Sequence, residues 1–351
     1  MDILVHSIEL LTLLGFIVLM CVIFTNAVEH LGKELNLNDG VVGSVLAAVG
    51  TALPETIVPL VAIIGAYVTG GDIHAGNEIG IGGILGAPFL LGTLAFFVTG
   101  VATYIFTYTK KRTLDMPVNT TIMFRDLHYF AIAYFVAIAA SFVPCSLCKH
   151  LIAILLIAIY GFYLYQTINC KSDAISAEVE DLDILYLTKF FDFPGKNLDL
   201  VLISLQLLLS IGGIIVLAHL FVGQLQFFSA YFNINPMILS LILTPIATEL
   251  PEKFNSVIWI KAKKDTLALG NITGAMVFQS CIPTAVGVAL TPWVINATGL
   301  INVVIVYISV FVVYMNIKRN NGILKPSSLV LGGLFYLIYL IYIALHLKGI
   351  V

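Results

Sequence analysis

One short motif occurs twice in the sequence. Residues 50–55 read GTALPE and residues 247–252 read ATELPE, so four of the six positions are identical. Each copy lies within the second long apolar run of its half of the chain. A further match follows in the next run, with ILGA at 84–87 and ITGA at 272–275. Two copies at equivalent places indicate an internal repeat.

The composition around the motif is that of a membrane protein. Of 351 residues, 60% are hydrophobic and 11% are charged, and the mean hydropathy is +1.03. Soluble domains carry about 25% charged residues. The formal net charge of −3 and the apolar content exclude a disordered chain and a nucleic-acid binder with a basic surface. We therefore expect a polytopic protein whose main partner is the lipid bilayer.

Apolar runs of the length needed to cross a bilayer, about 20 residues, occur ten times. They lie at roughly 7–28, 40–67, 79–107, 127–144, 149–169, 199–222, 234–261, 267–290, 293–316 and 327–347. The longest polar segment divides them five and five. This predicts a first five-helix repeat at 1–169, an acidic loop at 170–198 with a short interfacial helix near 186–191, and a second five-helix repeat at 199–351.

The distribution of basic residues predicts the orientation. Fourteen of the 17 Lys and Arg residues fall in odd-numbered connections, whereas two fall in even-numbered connections or termini. Positive residues are retained in the cytoplasm. We expect a multi-pass protein of the cell (plasma) membrane with its central loop in the cytoplasm and both termini outside. Each repeat has five spans, an odd number, so the second repeat enters the membrane from the opposite side to the first. The two repeats are therefore inverted, an arrangement typical of secondary transporters with an ion site near the midplane.

The repeated motif places acids at membrane depth. Glu55, Glu249 and Glu252 lie inside apolar runs, where a charge costs at least about 2.5–3.5 kcal/mol and so is expected to face a cavity and a partner. Thr51 precedes Glu55 by four residues, and Thr248 precedes Glu252 by four. This spacing puts hydroxyl and carboxylate on one helix face.

The prolines of the motif add a backbone ligand. Pro54 and Pro251 lack an N–H, so the carbonyls of Gly50 and Ala247 lose their helical donors. Such carbonyls are tolerated at membrane depth where they line a polar cavity. Each repeat thus offers a carboxylate, a hydroxyl and a carbonyl, and two sets that meet form an all-oxygen site. Hard cations such as Ca²⁺ bind to six to eight oxygens.

These residues resemble the α-repeats of the sodium/calcium exchanger (cation/Ca²⁺ antiporter) superfamily of membrane proteins, prokaryotic type, in which G-T-S-x-P-E is followed by G-N-x-x-G-S-N. Residues 270–275, GNITGA, match the second element. The resemblance implies an all-α fold and alternating access, with Ca²⁺ and Na⁺ (or H⁺) competing for one site as transported substrates and with no cofactor. Glu55 and Glu252 match the two central acids, which hold the metal, and Thr51 and Thr248 match the coordinating threonines.

The sequence departs from the family pattern where further oxygen ligands would lie. The serine of the first element is Ala52 in one repeat and Glu249 in the other, and the serine of the second element is alanine at 87 and 275. The polar residue four positions later is Leu91 in the first repeat and Gln279, a candidate ligand, in the second. The first-repeat connection also reads as about nine residues longer, through 70–78. Fewer Na⁺ ligands are therefore expected.

Lys253 follows a site glutamate inside a span. Glu249 lies four residues earlier, the favourable order for an ion pair. One hypothesis is that Lys253 is a built-in cation at a place where the family binds Na⁺. The alternative is that Lys253 extends to a cytoplasmic water pocket.

Several functions follow from this pattern. The leading one is a secondary active antiporter that exports Ca²⁺ in exchange for Na⁺ or H⁺. The first alternative is an exchanger of the same fold for another cation, namely Ca²⁺/H⁺, Mg²⁺, Mn²⁺ or Na⁺/H⁺. An intramembrane enzyme is disfavoured because no H-E-x-x-H and no paired intramembrane Asp is found. A channel is disfavoured because both inverted repeats lie in one chain, which also makes a monomer sufficient for transport.

Two other features remain. A C-x-x-C at 145–148 lies on the predicted outer side and is expected to be a strained disulfide or to have no role. Glycines crowd the third span, which allows close helix approach. They are Gly80, Gly82, Gly83, Gly86 and Gly92.

Overall fold

The fold was taken from a computed structural model, which describes residues 2–34, 53–169, 184–189 and 196–347. Side chains are described throughout these ranges except at residues 2, 32–33, 189, 196–199 and 250–255. Nearly all of the described chain is helical. The helices are α1 Asp2–Glu34, α2 Leu53–Thr69, α3 Ile73–Leu90, α4 Phe96–Tyr108, α5 Thr120–Ala140, α6 Ser146–Asn169, α7 Lys196–Phe232, α8 Pro236–Lys261, α9 Asp265–Leu290, α10 Ala297–Arg319 and α11 Pro326–Leu347.

The predicted all-α polytopic fold is confirmed. Within the described residues, eight helices are long and apolar enough to cross a bilayer, and α3 and α4 form one of them through a π-turn at Leu91–Ala95. Two shorter apolar helices, Leu53–Thr69 and Pro236–Glu249, lie at the second and seventh predicted spans. A two-stranded antiparallel ribbon, β1 Met116–Pro117 with β2 Ile323–Leu324, joins the segment after α4 to the segment before α11.

Several predicted boundaries were wrong. The helix α7 continues to Phe232 rather than ending near 222, and α5 begins at Thr120 rather than near 127. The expected long connection at 70–78 is also wrong. Only 70–72 connect α2 to α3, because Asp72 caps α3 by accepting a hydrogen bond from the backbone N–H of Ala75 (3.1 Å). This short polar side chain starts the helix within what looked like a loop.

The third and eighth spans form the centre of the bundle. In the most apolar part of 73–108, 83% of residues are buried within the protein, and in that of 265–290 the share is 78%. The corresponding share in α1 is 17%, and its exposed residues, such as Leu4 and Leu11, are apolar. In a bilayer these apolar surfaces contact lipid, whereas α3 and α9 contact other helices.

Glycines let α3 approach α8 closely, as their number in the sequence predicts. A Cβ at Gly82 would overlap the carbonyl of Met237, and a Cβ at Gly86 would overlap the carbonyl of Leu241. The Ser240 hydroxyl donates a hydrogen bond to the Ile79 carbonyl (2.6 Å) across the same interface. The backbones of the third and seventh spans therefore meet without intervening side chains.

The helix α9 packs against α5 and α6 and is fixed at its first residue. Arg112, in the segment after α4, donates two hydrogen bonds to the Asp265 carboxylate (2.6 and 2.9 Å), and both side chains are buried. Arg112 also donates to the carbonyl of Ile260 (2.8 Å). This ion pair joins the connection between α4 and α5 to the turn between α8 and α9.

The helices α1 and α7 pack along each other, and the end of the central loop contacts both. Gln206 donates hydrogen bonds to the Asn26 side chain (3.0 Å) and accepts one from the backbone of Leu187 (2.9 Å). The expected short helix is a single 3₁₀ turn at Tyr186–Lys189. The remainder of the acidic loop lies outside the described residues.

Candidate ion-binding site

A buried hydrogen bond joins the two halves of the sequence near the centre of the bundle. Glu55 lies in the first turn of α2 and is 3% exposed, and Gln279 lies in the middle of α9 and is fully buried. The Gln279 amide donates to Oε2 of Glu55 over 3.0 Å, although the residues are 224 positions apart. The arrangement leaves the amide oxygen of Gln279, which can act as a neutral ligand, close to a carboxylate.

The helix α8 contributes a second set of buried polar groups. Glu249 is fully buried, and Thr248 and Ala247 beside it are buried as well. The Thr248 hydroxyl donates to the carbonyl of Thr244 (3.3 Å), so it is held to its own helix. A second acid is therefore buried within the protein, on the helix that carries the second motif.

Four other predicted site residues are not described by the structure, or are described without their side chains. Gly50 and Thr51 lie outside the described residues, and the side chains of Glu252 and Lys253 are not described. Their roles, including an ion pair of Lys253 with Glu249, remain predictions.

Three departures from the family pattern prove to be apolar packing positions. Ala87 and Ala275 are buried, and Leu91 is fully buried within the main hydrophobic cluster. None of these side chains carries an oxygen. At these three positions the protein therefore has buried apolar side chains in place of hydroxyl ligands.

One buried acid was missed by the sequence analysis. Asp126 directly precedes the predicted fourth span at 127–144 and was not considered as a site residue, but it lies almost two turns inside α5 and is 1% exposed. It accepts hydrogen bonds from Thr273 of α9 (2.9 Å), Tyr163 of α6 (3.2 Å) and Arg125 (3.0 Å). The signal that could have revealed it is the polar Asn119, which caps α5 and places Asp126 inside the helix.

The two cysteines of the C-x-x-C are thiols, and no disulfide joins them. Cys145 directly precedes α6 and accepts a hydrogen bond from the backbone N–H of Cys148 (3.4 Å). Hydrogen bonds from the side chain and backbone of Cys148 lower the pKa of the exposed Cys145 thiol below its usual range. The pair is therefore reduced in this structure, and Cys145 is accessible.

These features define a polytopic all-α membrane protein with a carboxylate–amide centre buried between its two halves. The family model described as "Sodium/calcium exchanger protein" matches residues 7–169 and 202–348. Because this match covers most of the sequence, the chain belongs to the sodium/calcium exchanger protein family.

Two curated relatives are similar in sequence. The putative antiporter CaxA of Alkalimonas amylolytica is 30% identical over 96 residues, which cover 27% of this chain and 30% of CaxA. The uncharacterized membrane protein MJ0091 of Methanocaldococcus jannaschii is 24% identical over 265 residues, which cover 74% of this chain and 73% of that protein.

Three solved structures share the fold. The H⁺/Ca²⁺ exchanger CAX superposes with a TM-score of 0.72 at 13% identity, covering 98% of this chain and 87% of CAX. Native YfkE gives 0.66 at 15% identity, covering 96% and 91%. The sodium-calcium exchanger NCX_Mj gives 0.57 at 19% identity, covering 96% and 98%. At these identities the likeness shows the fold alone.

Proposed function

We propose that the protein is a secondary active cation antiporter that exports Ca²⁺ in exchange for Na⁺ or H⁺ by alternating access. The observation that carries this proposal is the buried contact between Glu55 of α2 and Gln279 of α9. Burial of a carboxylate at membrane depth costs free energy unless a partner balances its charge, and such groups mark functional sites. The contact also joins one group from each half, which is where inverted-repeat transporters bind their ions.

The neighbouring groups suit a hard cation. Glu249 adds a second buried carboxylate, Thr248 adds a hydroxyl, and Pro251 leaves the Ala247 carbonyl without its helical donor. Together with the predicted ligands Glu252, Thr51 and the Gly50 carbonyl, they form an oxygen-only set. Oxygen ligands in a flexible arrangement are what Ca²⁺ prefers.

The relatives support the same class of substrate. CaxA is named a putative antiporter, CAX is an H⁺/Ca²⁺ exchanger and NCX_Mj is a sodium-calcium exchanger. The transported ions are substrates, and no organic cofactor is required by this mechanism. Because one chain holds both halves of the site, a monomer is sufficient for transport.

A same-fold exchanger for another cation is the second candidate. The observation that favours it is the apolar character of Ala87, Leu91 and Ala275, which removes oxygens that additional Na⁺ ions would need. This favours H⁺ as the coupling ion for export of Ca²⁺, Mg²⁺ or Mn²⁺, and Na⁺/H⁺ exchange is the remaining form of this candidate.

Flux in reconstituted vesicles tests the proposal. Vesicles with wild-type protein are given ⁴⁵Ca²⁺ outside and either a Na⁺ or an H⁺ gradient directed outward. We expect one of these gradients to drive Ca²⁺ uptake, and Glu55→Gln to reduce uptake to background because it removes the charge that balances the cation. Glu34→Gln is the matched control, since Glu34 is exposed at the end of α1, and it should leave uptake unchanged.

Each other outcome has a defined meaning. Ca²⁺ flux that needs no opposing gradient would indicate a channel. The absence of Ca²⁺ flux with either gradient would reject Ca²⁺ export, and ⁵⁴Mn²⁺ or ²²Na⁺ in the same vesicles would then test the second candidate.

Lys253 can be tested in the same assay. If Lys253 is a built-in cation paired with Glu249, Lys253→Met should create a need for an added monovalent cation and change the Na⁺ or H⁺ dependence. Unchanged coupling would reject the built-in cation and favour a lysine that reaches cytoplasmic water.

We further propose that the protein lies in the cell membrane with both termini outside and the acidic loop in the cytoplasm. The exposed Cys145 tests this orientation. A membrane-impermeant maleimide applied to intact cells should label the wild type and fail to label Cys145→Ser/Cys148→Ser. Labelling that requires permeabilised cells would reverse the topology.

A further inference from the structure

Asp126 is a buried charge that the proposed site does not use. It lies within the span Thr120–Ala140, and its side chain meets three helices at once. Oδ1 accepts hydrogen bonds from Arg125 and from the Tyr163 hydroxyl of α6, and Oδ2 accepts one from the Thr273 hydroxyl of α9. A carboxylate inside a membrane span that is hydrogen-bonded to neighbouring helices indicates a role beyond packing.

The surroundings of this group favour a negative charge. Arginine can only donate, and the tyrosine and threonine hydroxyls are able to donate. These three groups therefore stabilise the ionised carboxylate, and the adjacent Arg125 balances its charge. The guanidinium of Arg125 also lies over the ring of Tyr163, 5.2 Å from its centroid, which holds the cation against α6.

Thr273 connects this cluster to the ion site. It lies on α9 six residues before Gln279, or about 9 Å along the helix axis. A second bond holds the same helices near their other end, where Trp293, just beyond α9, donates to the Ala137 carbonyl of α5 (2.8 Å). The Asp126–Thr273 bond is thus a buried side-chain hydrogen bond that fixes the first half of α9 against α5, and it adds to the ring contact between Phe278 of α9 and Tyr160 of α6.

We propose that Asp126 is a positioning residue that acts through Thr273 to set the depth and rotation of α9, and so presents Gln279 to Glu55. The proposal rests on the antiporter function above. Alternating access requires at least two arrangements of the helices around the site. A bond that holds α9 in the arrangement seen here favours that state, and its loss shifts the equilibrium toward the other state.

This role predicts that the apparent affinity for the ion changes in opposite directions at the two membrane faces. If one state opens to each face, then weakening the state seen here raises the apparent KM for the ion at one membrane face and lowers it at the other. A hydrogen bond between membrane helices changes such an equilibrium by about three-fold. A group that merely supports folding would lower the amount of active protein and leave both KM values unchanged.

The test uses Thr273→Val, which keeps the side-chain volume and removes the bond to Asp126. Thr99→Val is the matched control, because the buried Thr99 hydroxyl donates only to the Ala95 carbonyl of its own helix, among the described residues. Apparent KM for Ca²⁺ is measured at each face in vesicles of known orientation. We expect changes of about three-fold in opposite directions for Thr273→Val and none for Thr99→Val.

Tyr163→Phe provides a second variant, since it removes one other donor to Asp126 and keeps the ring. It should shift both KM values in the same directions as Thr273→Val. Unchanged KM at both faces in the two variants, with wild-type Ca²⁺ flux intact, would overturn the positioning role.

Failure of the proposed function gives a different result. In that case wild-type vesicles carry no Ca²⁺, and the same variants are compared by the thermal shift of purified protein with Na⁺, Mn²⁺ and Mg²⁺. An altered apparent affinity for the stabilising ion in Thr273→Val and Tyr163→Phe, but not in Thr99→Val, supports the positioning role for another cation, whereas equal affinities in all variants reject it.

Discussion

The helices α3 and α9 hold equivalent places in the two predicted halves, yet they contribute different things to the centre of the protein. Gly82 and Gly86 of α3 let the backbone of α8 come into contact. The helix α9 carries Thr273 and Gln279, which form buried side-chain hydrogen bonds to other helices. A sequence repeat thus builds an asymmetric centre, in which one helix provides close packing and the other provides polar groups.

The largest expected effect concerns the Arg112–Asp265 ion pair at the first residue of α9. Arg112→Ala should lower the free energy of unfolding by about 3–5 kcal/mol, because it leaves the Asp265 carboxylate buried without its cation. Thermal unfolding in detergent measures the change. The double variant Arg112→Met/Asp265→Leu should recover most of the loss, since it removes both charges. A double variant as unstable as the single one would show that the ion pair itself, rather than an uncompensated charge, holds α9.

The next effect concerns close packing of α3. Gly86→Ala should lower stability by about 1–3 kcal/mol, because its Cβ would overlap the Leu241 carbonyl and force α3 from α8. The same substitution at the repeat-equivalent Gly274 is the comparison. A Cβ there would meet the Tyr163 hydroxyl, at 3.6 Å, and no other atom of the described residues within 4 Å. Equal losses at both positions would contradict the division of roles between α3 and α9.

A smaller effect is expected for the polar role of α9. Gln279→Leu should weaken the apparent affinity for the transported cation about tenfold, because Glu55 loses a hydrogen bond to its charged group. Leu91→Met, at the equivalent buried position after α3, should leave affinity unchanged because it conserves volume. Ion-dependent thermal shift or transport KM measures both variants.

A double variant that exchanges residues 91 and 279 tests the polar role of α9 further. Leu91→Gln combined with Gln279→Leu moves the amide from the second half to the first. We expect no recovery of affinity, since Leu91 is packed in the apolar cluster. Recovery would mean that the two helices are interchangeable.

The smallest expected effect is an increase in the free energy of unfolding. Gly274→Ala should stabilise the protein by up to about 1 kcal/mol, because alanine favours the helix and the position has room. A clear loss of stability would show that α9, like α3, needs a glycine for close approach. Thermal unfolding beside Gly86→Ala gives the comparison directly.

Much of the fold could be predicted because its signals are local. Each apolar run contains a helix within the described residues, although ends such as Phe232 of α7 were missed, since the hydrocarbon boundary does not stop a helix that continues in water or against neighbours. The start of α3 at Ile73 was missed for another reason. Asp72 and Gly70 resemble a loop in sequence, but only the geometry shows that Asp72 is a cap.

The candidate site could be predicted in part. The motif copies pointed to Glu55, Thr248 and Glu249, and the family pattern pointed to Gln279. Their burial agrees with these expectations, while their roles as ligands stay predictions. Asn26, near the end of the first span, is buried and accepts a hydrogen bond from Gln206, a contact between α1 and α7 that no local pattern indicates. Asp126 was passed over because an acid near the edge of an apolar run is usually at the membrane surface.

The sequence by itself determined the class of the protein, the approximate positions of its spans and the repeated acids, because hydrophobic length and motif spacing are properties of short stretches of chain. Only the tertiary structure decided which polar groups meet. Glu55 reaches Gln279 across 224 positions, and Asp126 reaches Thr273 across 147. Such pairs depend on how whole helices cross and rotate, which no short stretch of sequence specifies.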